Sequence, residues 1–202
     1  DGVIQSSKGI CVQESEYVDH LINVVIPYSQ ASGFSFEGRP YLVGALSRLN
    51  LNRDALHPET RQSVAEHLKA FPSTNIFHNN LAQAIEVLHS IDHSIELLEH
   101  AQFKREEVVK PVLTAESVGV GVIEAPRGTL YYKMTISKGG IVKKANVIVP
   151  TAQNQINMEL DIKKLVQENL NKLSKEAISY EIEKLIRAYD PCISCATHFL
   201  KV

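Results

Sequence analysis

Two cysteines near the carboxyl end of the chain are the residues best suited to metal chemistry. They lie in the sequence Asp190-Pro-Cys-Ile-Ser-Cys-Ala-Thr-His198, where two residues separate Cys192 from Cys195. This spacing lets both sulfur atoms turn towards one ion, and thiolates are soft ligands that suit nickel, iron and zinc. His198 follows three positions later and can face the same site. The motif therefore predicts a metal site at the end of the chain.

The CxxC pattern by itself is compatible with other kinds of site. Cys192, Cys195 and His198 could bind a structural zinc with Cys11 as the fourth ligand, and on this pattern alone zinc ranks ahead of nickel and iron. The pair could also be a redox-active dithiol, or two buried cysteines that pack as small hydrophobic side chains. Three cysteines, two of them close in sequence, are a poor disulfide framework.

A second group of residues centres on Arg127. In the sequence Glu124-Ala-Pro-Arg-Gly-Thr-Leu130, the arginine stands between the stiff backbone of Pro126 and the free backbone of Gly128. A guanidinium held in this way could bind a carboxylate or stand over a metal. The ordinary alternative is an arginine that only hydrogen-bonds its own turn. A third motif, Val149-Pro-Thr-Ala-Gln-Asn154, opens a predicted helix.

His89 and His93 form a further candidate metal pair, because residues four apart share one face of a helix. The apolar stripe of the same predicted helix, which includes Leu81, Ile85 and Leu88, lies elsewhere. We therefore interpret the two histidines as part of a solvated face.

Apolar periodicity predicts the elements that position these motifs. Helical spacing covers the first half of the chain and returns after residue 155, whereas residues 117–150 alternate in the manner of strands. The predicted fold is therefore mainly α with a small antiparallel β-meander (α+β). Ser174 is a predicted N-cap. The predicted helices cover residues 14–31, 41–49, 58–70, 75–101, 156–170 and 175–189.

Composition excludes some classes of function. Of the 202 residues, 44% are hydrophobic and 22% are charged, and the formal net charge is -2. A nucleic-acid-binding protein would usually carry a basic patch or a high isoelectric point, so no nucleic-acid partner is expected. The apolar runs are all shorter than the roughly 18 residues that a membrane span requires.

The three motifs together resemble the large subunit of nickel–iron hydrogenases. That family carries Glu-Ala-Pro-Arg-Gly before strands, then Val-Pro-Thr with a nearby Asn, then a terminal Asp-Pro-Cys-x-x-Cys-x-x-His, and this chain matches all three in order. The stretches 25–29, 38–39 and 43–50 also look like the family, so the resemblance spans about residues 17–198. The terminal motif is most similar to that of the cytoplasmic, bidirectional group, which couples hydrogen to a soluble cofactor.

The resemblance implies a fold and a division of the chain. We expect the C-terminal portion of a hydrogenase large-subunit-like helical fold. Residues 1–202 would form a single portion of a larger catalytic subunit: residues 1–115 helical, 116–150 the β-meander, 151–189 helical and 190–202 the metal-ligand terminus.

The resemblance also implies the residues of a nickel–iron centre. Cys192 would be a terminal nickel ligand, and Cys195 would bridge nickel to an iron that carries carbonyl and cyanide ligands. Arg127 would stand over the open metal position, with Asp190 near it. The residues expected around the diatomic ligands are Ala125, Pro126, Leu130, Pro150 and Thr151, of which the last would hydrogen-bond a cyanide. His198 and Gln155 would bind a separate magnesium-type ion.

The activity implied for the intact enzyme is the reversible, heterolytic oxidation of hydrogen to protons and electrons. Electrons would pass to a small subunit with iron–sulfur clusters and then to nicotinamide- or deazaflavin-linked subunits. A maturation endopeptidase would remove residues 199–202. The expected location is the cytoplasm.

The chain also departs from the family. Two further thiolates and a glutamate come from the family's N-terminal half, and this sequence holds no matching cysteine pair. We interpret Cys11 as a buried thiol, and the chain as a C-terminal fragment that is inactive alone. The alternative function is a non-catalytic helical interaction subunit with a structural zinc at the terminal CxxCxxH.

Overall fold

Helices and short antiparallel hairpins alternate in the computed structural model, which describes residues 2–27 and 32–196. The helices are α1 (Tyr17–His20), α2 (Ala45–Asn52), α3 (Pro58–Ser63), α4 (Ala65–Leu68), α5 (His78–His100), α6 (Pro150–Asn169), α7 (Lys175–Tyr189) and α8 (Ile193–Ala196). The strands are β1 (Val3–Gln5), β2 (Cys11–Gln13), β3 (Leu21–Val24), β4 (Gly33–Phe36), β5 (Ser117–Ala125), β6 (Gly128–Ile136) and β7 (Val142–Ile148).

The predicted fold class, mainly α with a small β-meander, is confirmed. Strands β5, β6 and β7 form an antiparallel sheet in that order, and Ala125 pairs with Gly128. This register leaves Pro126 and Arg127 as the two residues of a tight turn. Gly128 has φ 137°, a conformation that glycine adopts without steric cost. The turn therefore projects from the end of the sheet with a defined backbone.

The helix predicted over residues 14–31 is wrong. A single 3-10 turn and the one-turn helix α1 are followed by β3, which pairs with β4 so that Leu21 lies opposite Phe36. Residues 21–26 include several β-branched side chains, which favour strands. Over residues 2–27 and 32–36, the helical character predicted for residues 1–115 is therefore limited to these two short turns, and β1–β2 and β3–β4 are hairpins.

The later helices follow the prediction more closely. Helix α2 begins at Ala45 instead of residue 41, and the helix predicted over 58–70 is divided at Val64 into α3 and α4. Helices α5 and α7 match their predicted ranges, and the Ser174 hydroxyl accepts a hydrogen bond from the Ala177 amide at 3.3 Å. Helix α6 begins six residues earlier than predicted, at Pro150, because proline is well suited to the first turn of a helix.

Helix α6 connects two hydrophobic cores. Its first turn contributes Ala152 to a core beneath the meander, where the Tyr17 and Tyr131 rings stack with centroids 4.7 Å apart. Farther along, Met158, Ile162 and Leu165 pack against a second core built from α2, α5 and α7. The start of α6 is therefore held in place by the meander and by the helices together.

The apolar stripe of α5 is buried over only part of its length. Ile85 is buried in the second core, whereas Ile95 is 51% exposed and Leu98 is 67% exposed. Exposed apolar side chains that continue a buried stripe are typical of surfaces that other protein segments cover. Within the described residues, no helix combines the length and the apolar character that crossing a membrane requires.

Candidate metal centre

Three separate segments meet where the metal site is predicted: the β5–β6 turn, the first turn of α6 and the residues that follow α7. Helix α7 ends at Tyr189, and the next residue, Asp190, has a left-handed backbone with φ 49°. A residue in this conformation commonly ends a helix and redirects the chain. The change of direction brings the CxxC motif back towards α6.

Arg127 and Asp190 are in direct contact. The Nε of Arg127 donates to the Asp190 backbone oxygen at 2.8 Å, and its Nη2 donates to the carboxylate Oδ1 at 3.1 Å. The two side chains remain 42% and 35% exposed. An ion pair at this exposure adds about 1 kcal/mol or less to stability, so it fixes direction more than it stabilises the fold.

Gln83 is a member of the site that the sequence did not indicate. It lies on α5, and its Nε2 donates to the other carboxylate oxygen of Asp190 at 2.8 Å. Asp190 is thus held on both oxygens, by Arg127 and by Gln83. A single glutamine in an amphipathic helix belongs to no recognisable motif, so only the packing of α5 beside α7 reveals this contact.

The two cysteines lie together, as their spacing predicts. Their sulfur atoms form a disulfide bond, although the three cysteines were expected to be a poor disulfide framework, and their Cα atoms are 5.3 Å apart. The backbone amides of Cys195 and Ala196 donate to the Cys192 oxygen at 3.2 and 3.3 Å. This helical turn, α8, starts directly after Cys192. Cys192 is half-buried and Cys195 is exposed, so both sulfurs belong to an open surface.

Thr151 links the start of α6 to the cysteine motif. Its Oγ1 accepts a hydrogen bond from the Cys192 backbone amide at 2.9 Å, and the residue is 6% exposed. Pro150 precedes it as the first residue of the helix and is also buried. A hydroxyl that accepts one hydrogen bond still has its own proton to donate. Thr151 can therefore orient Cys192 and also donate to a group bound beside it.

Replacing Thr151 by valine should loosen the cysteine motif. Valine has nearly the same shape but no acceptor, so the part-buried Cys192 amide loses its partner at a cost of about 1–3 kcal/mol. We expect thermal unfolding at a lower temperature and faster alkylation of Cys192 under reducing conditions. Thr151→Ser keeps the acceptor and serves as the control. Equal alkylation rates in the valine, serine and unchanged chains would show that the hydrogen bond does not hold the motif.

Buried amides fix the turn of the meander and the first turn of α6. The Asn154 side chain accepts from the Val43 amide at 2.8 Å and donates to the Val43 oxygen at 3.0 Å. Gln153 is fully buried and donates to the Thr129 oxygen at 2.6 Å, while its own oxygen accepts from the Tyr41 hydroxyl. Burial raises the pKa of the Tyr41 phenol, which keeps its proton for this bond.

Three of the residues expected around the diatomic ligands lie at the β5–β6 turn or in β6. Ala125 and Pro126 belong to the turn, and their backbone oxygens accept hydrogen bonds from Arg48 at 3.0 and 2.9 Å. Leu130 is half-buried in β6 opposite Ile123. The roles predicted for these three residues stay predictions.

The predicted magnesium-type site is described only in part. Gln155 is half-buried on α6, and its Nε2 donates to Glu159 Oε1 at 3.2 Å. His198, its expected partner, lies outside the described residues.

The expectation of a buried Cys11 is wrong. Cys11 is exposed, because it lies in the short hairpin β1–β2 with its neighbour Val12 facing inward. Alternate residues of a strand point to opposite faces, so burying Val12 exposes Cys11.

His89 and His93 are not a metal pair with further ligands in the described residues. Their rings stack at 5.8 Å between centroids, and His93 is exposed, in agreement with a solvated face. His89 is half-buried instead, and its Nδ1 accepts a hydrogen bond from the His57 backbone amide at 2.9 Å. It therefore connects α5 to the start of α3.

The donor set of the site fits one side of a thiolate-bound metal. Reduction of the Cys192–Cys195 disulfide would provide two soft ligands side by side, a hydroxyl positions the Cys192 backbone, and a guanidinium is fixed on the neighbouring carboxylate. No group of three or more His, Cys, Asp or Glu side chains within residues 2–27 and 32–196 could hold a metal ion. The described part of the chain thus offers a ligand pair that other groups would have to complete.

Comparison with known proteins identifies the family. The sequence model described as "Nickel-dependent hydrogenase" matches residues 12–198. Sulfhydrogenase 1 subunit alpha of Pyrococcus furiosus is 35% identical over 202 residues, a match that covers 98% of this chain and 46% of that protein. The NAD-reducing hydrogenase HoxS subunit beta of Cupriavidus necator is 32% identical, and the match covers 98% of this chain and 43% of that protein.

A solved structure agrees with these sequence matches. The crystal structure of an NAD+-reducing NiFe-hydrogenase in the H2-reduced state aligns with a TM-score of 0.72 and 27% identity, covering 98% of this chain and 47% of that one. The chain spans about half the length of the relatives it matches. The predicted resemblance and the large-subunit-like fold are confirmed, and the chain belongs to the nickel-dependent hydrogenase family.

Proposed function

We propose that this chain supplies the C-terminal thiolate pair of a nickel–iron centre that oxidises hydrogen reversibly. The observation that carries the proposal is the convergence of the Cys192–Cys195 pair, the Arg127–Asp190 contact and Thr151. Cys192 and Cys195 would hold the nickel–iron centre through their thiolates. Two further thiolates, which the described residues do not offer, would complete the centre from another part of a large subunit.

When bound, the nickel–iron centre, with carbonyl and cyanide ligands on the iron, would supply the cleavage of hydrogen into protons and electrons. The residues of this chain would position charged and hydrogen-bonding groups around the centre. Arg127 would hold its charge beside the sulfur pair because Asp190 fixes the guanidinium through two hydrogen bonds. Asp190 would in turn be held in place on both carboxylate oxygens, by Arg127 and by Gln83. Thr151 would keep Cys192 oriented, and its hydroxyl could donate a hydrogen bond to a ligand such as cyanide.

A separate divalent ion is also part of the proposal. Gln155 and His198 would bind a magnesium-type ion near the end of the chain. Oxygen ligands such as an amide carbonyl suit this hard cation.

The partners proposed for the whole protein follow from its relatives. A small subunit with iron–sulfur clusters would receive the electrons, and one matched relative is named as NAD-reducing, which supports a nicotinamide-linked carrier. A deazaflavin-linked subunit, a maturation endopeptidase acting on residues 199–202 and a location in the cytoplasm remain predictions.

The surface of α5 supports the proposal that further protein covers this chain. Five apolar side chains from Val87 onward are 51–67% exposed: Val87, Ile91, Ile95, Leu97 and Leu98. Beside them lies a cleft of about 1750 Å³, bounded in part by β1, α2 and the Glu124–Pro126 segment. This is larger than the usual 300–1,000 Å³ of a small-molecule pocket and suits a protein segment better.

The experiment that tests the function is elemental analysis of the native complex that contains this chain. We expect about one nickel per chain, together with iron, because the thiolate pair is a soft-metal site. Hydrogen uptake with an artificial electron acceptor should accompany the nickel. Zinc without nickel would overturn the proposal and favour the structural-zinc alternative.

A further inference from the structure

Arg48 uses every donor of its guanidinium. Its Nε and Nη2 donate to the two carboxylate oxygens of Glu86, both at 2.7 Å. Its Nη1 donates to Glu124 Oε2 at 2.6 Å and to the Ala125 oxygen at 3.0 Å, and Nη2 also donates to the Pro126 oxygen at 2.9 Å. An arginine has five N–H donors, and five acceptors surround this one.

Two of these acceptors are the backbone carbonyls that immediately precede Arg127. They belong to the turn between β5 and β6, while Glu86 belongs to α5 and Arg48 itself to α2. The guanidinium therefore ties the turn to two helices of the second core. The Arg48 and Glu86 side chains are each 21% exposed, so the contact between them is largely shielded from water, whereas Glu124 is 45% exposed.

On its opposite side, the same turn packs closely against Val43 and Gly44. A Cβ on Gly44 would lie 3.0 Å from the Arg127 oxygen, and a Cβ on Gly128 would lie 2.4 Å from Val43 Cγ2. Val43 is in turn fixed by both side-chain groups of Asn154. The turn is thus confined between the start of α2 and the Arg48 side chain, and it has little freedom to shift.

The charge balance keeps Arg48 in place. Burial lowers the pKa of its guanidinium, but hydrogen bonds and the charges of Glu86 and Glu124 outweigh this, so the pKa is raised above its ordinary value. Glu124 also accepts a hydrogen bond from the Thr129 hydroxyl of the neighbouring strand. Glu124 is therefore itself anchored and provides a fixed acceptor.

We propose that Arg48 is a positioning residue for Arg127: by holding the Ala125 and Pro126 carbonyls, it sets where the Arg127 guanidinium lies relative to Asp190 and the cysteine pair. The consequence for hydrogen turnover rests on the function proposed above. The effect on the turn itself does not. Lysine cannot replace Arg48, because one ammonium with three donors cannot reach five acceptors arranged around a planar fork.

The test is a double-mutant cycle in the native complex, with Arg48→Lys, Arg127→Lys and both together. We expect Arg48→Lys to lower hydrogen turnover roughly 10- to 100-fold with nickel content unchanged, as for other residues that orient an active group. In the Arg127→Lys background the same change should add less than about threefold, because residues that act as a unit are not additive. Arg187→Lys is the matched control, since Arg187 pairs with Glu183 on an exposed face of α7.

A second readout does not depend on hydrogen chemistry. Hydrogen exchange of the peptide covering residues 122–130 should be faster in Arg48→Lys and unchanged in Arg187→Lys. If Arg48→Lys does not accumulate as folded protein, Glu86→Gln weakens the bidentate anchor while keeping its shape, and it should show the same changes to a smaller degree.

The outcomes separate the two proposals. Unchanged exchange in the turn, or losses of turnover that add fully in the double variant, would overturn the positioning role. A wild-type complex without nickel or hydrogen turnover would overturn the proposed function, and the exchange measurement would still decide whether Arg48 holds the turn.

Discussion

Replacing Cys195 by serine should abolish hydrogen turnover in the native complex and remove most of its nickel. Serine oxygen is a hard, weakly acidic donor and does not substitute for a soft thiolate. Loss of a residue that merely orients a ligand already costs roughly 10- to 100-fold in metal affinity or activity, so loss of a direct ligand should exceed about 100-fold. The measurements are nickel content per chain and hydrogen uptake with an artificial acceptor.

The fold should survive this substitution. Cys195 is exposed, and its backbone hydrogen bond to Cys192 does not depend on the side chain, so with the Cys192–Cys195 pair reduced in both proteins we expect stability to change by no more than about 0.5 kcal/mol. Cys11→Ser is the control, because Cys11 is also an exposed cysteine but lies in the β1–β2 hairpin. It should keep full activity and full nickel. A structural zinc would give the opposite pattern, in which Cys195→Ser unfolds the C-terminal region because zinc binding contributes to folding.

Replacing Arg127 by lysine should lower hydrogen turnover by about 100- to 1000-fold, the range observed when one preorganised donor is removed from an active site. Arginine holds Asp190 through two atoms of a planar group, whereas lysine provides one flexible ammonium. Lysine keeps the positive charge, so a loss of turnover would result from the changed geometry of the group. The measurement is turnover at saturating hydrogen.

Nickel content and thermal stability should be nearly unchanged in Arg127→Lys. The Arg127–Asp190 pair is partly exposed and contributes about 1 kcal/mol or less to folding. The Arg187→Lys control should behave as wild type in all three measurements. Turnover within a factor of two of wild type for Arg127→Lys would refute a role for the fixed guanidinium.

Local sequence was sufficient for the features that depend on neighbouring residues. The proximity of Cys192 and Cys195 follows from one helical turn, and the N-cap at Ser174 and the meander of residues 117–148 follow from short-range patterns. Pro126 and Gly128 predicted a constrained turn around Arg127, as found. The family followed from three motifs in order, which no single motif would have indicated.

Local sequence was misleading where tertiary pairing decided the outcome. The apolar spacing from Tyr17 onward fits a helix, but Leu21–Val24 forms a strand because β4 lies alongside and offers backbone partners. Cys11 was expected to be buried, yet the alternation of a short strand turns it to solvent. In both cases the pattern of one segment did not include the partner that decided its conformation.

The assembly of the site was decided by tertiary structure alone. Thr151 and Cys192 are 41 residues apart, Gln83 and Asp190 are 107 apart, and Arg48 reaches Glu124 across 76 residues. These contacts exist because α6 packs into both cores at once, which brings the meander turn, α5 and the end of α7 to one place. Sequence determined which groups could bind a metal and which local turns present them. Their arrangement depends on burying the apolar faces of elements that are distant in the chain. No local sequence pattern specifies which distant elements pack together.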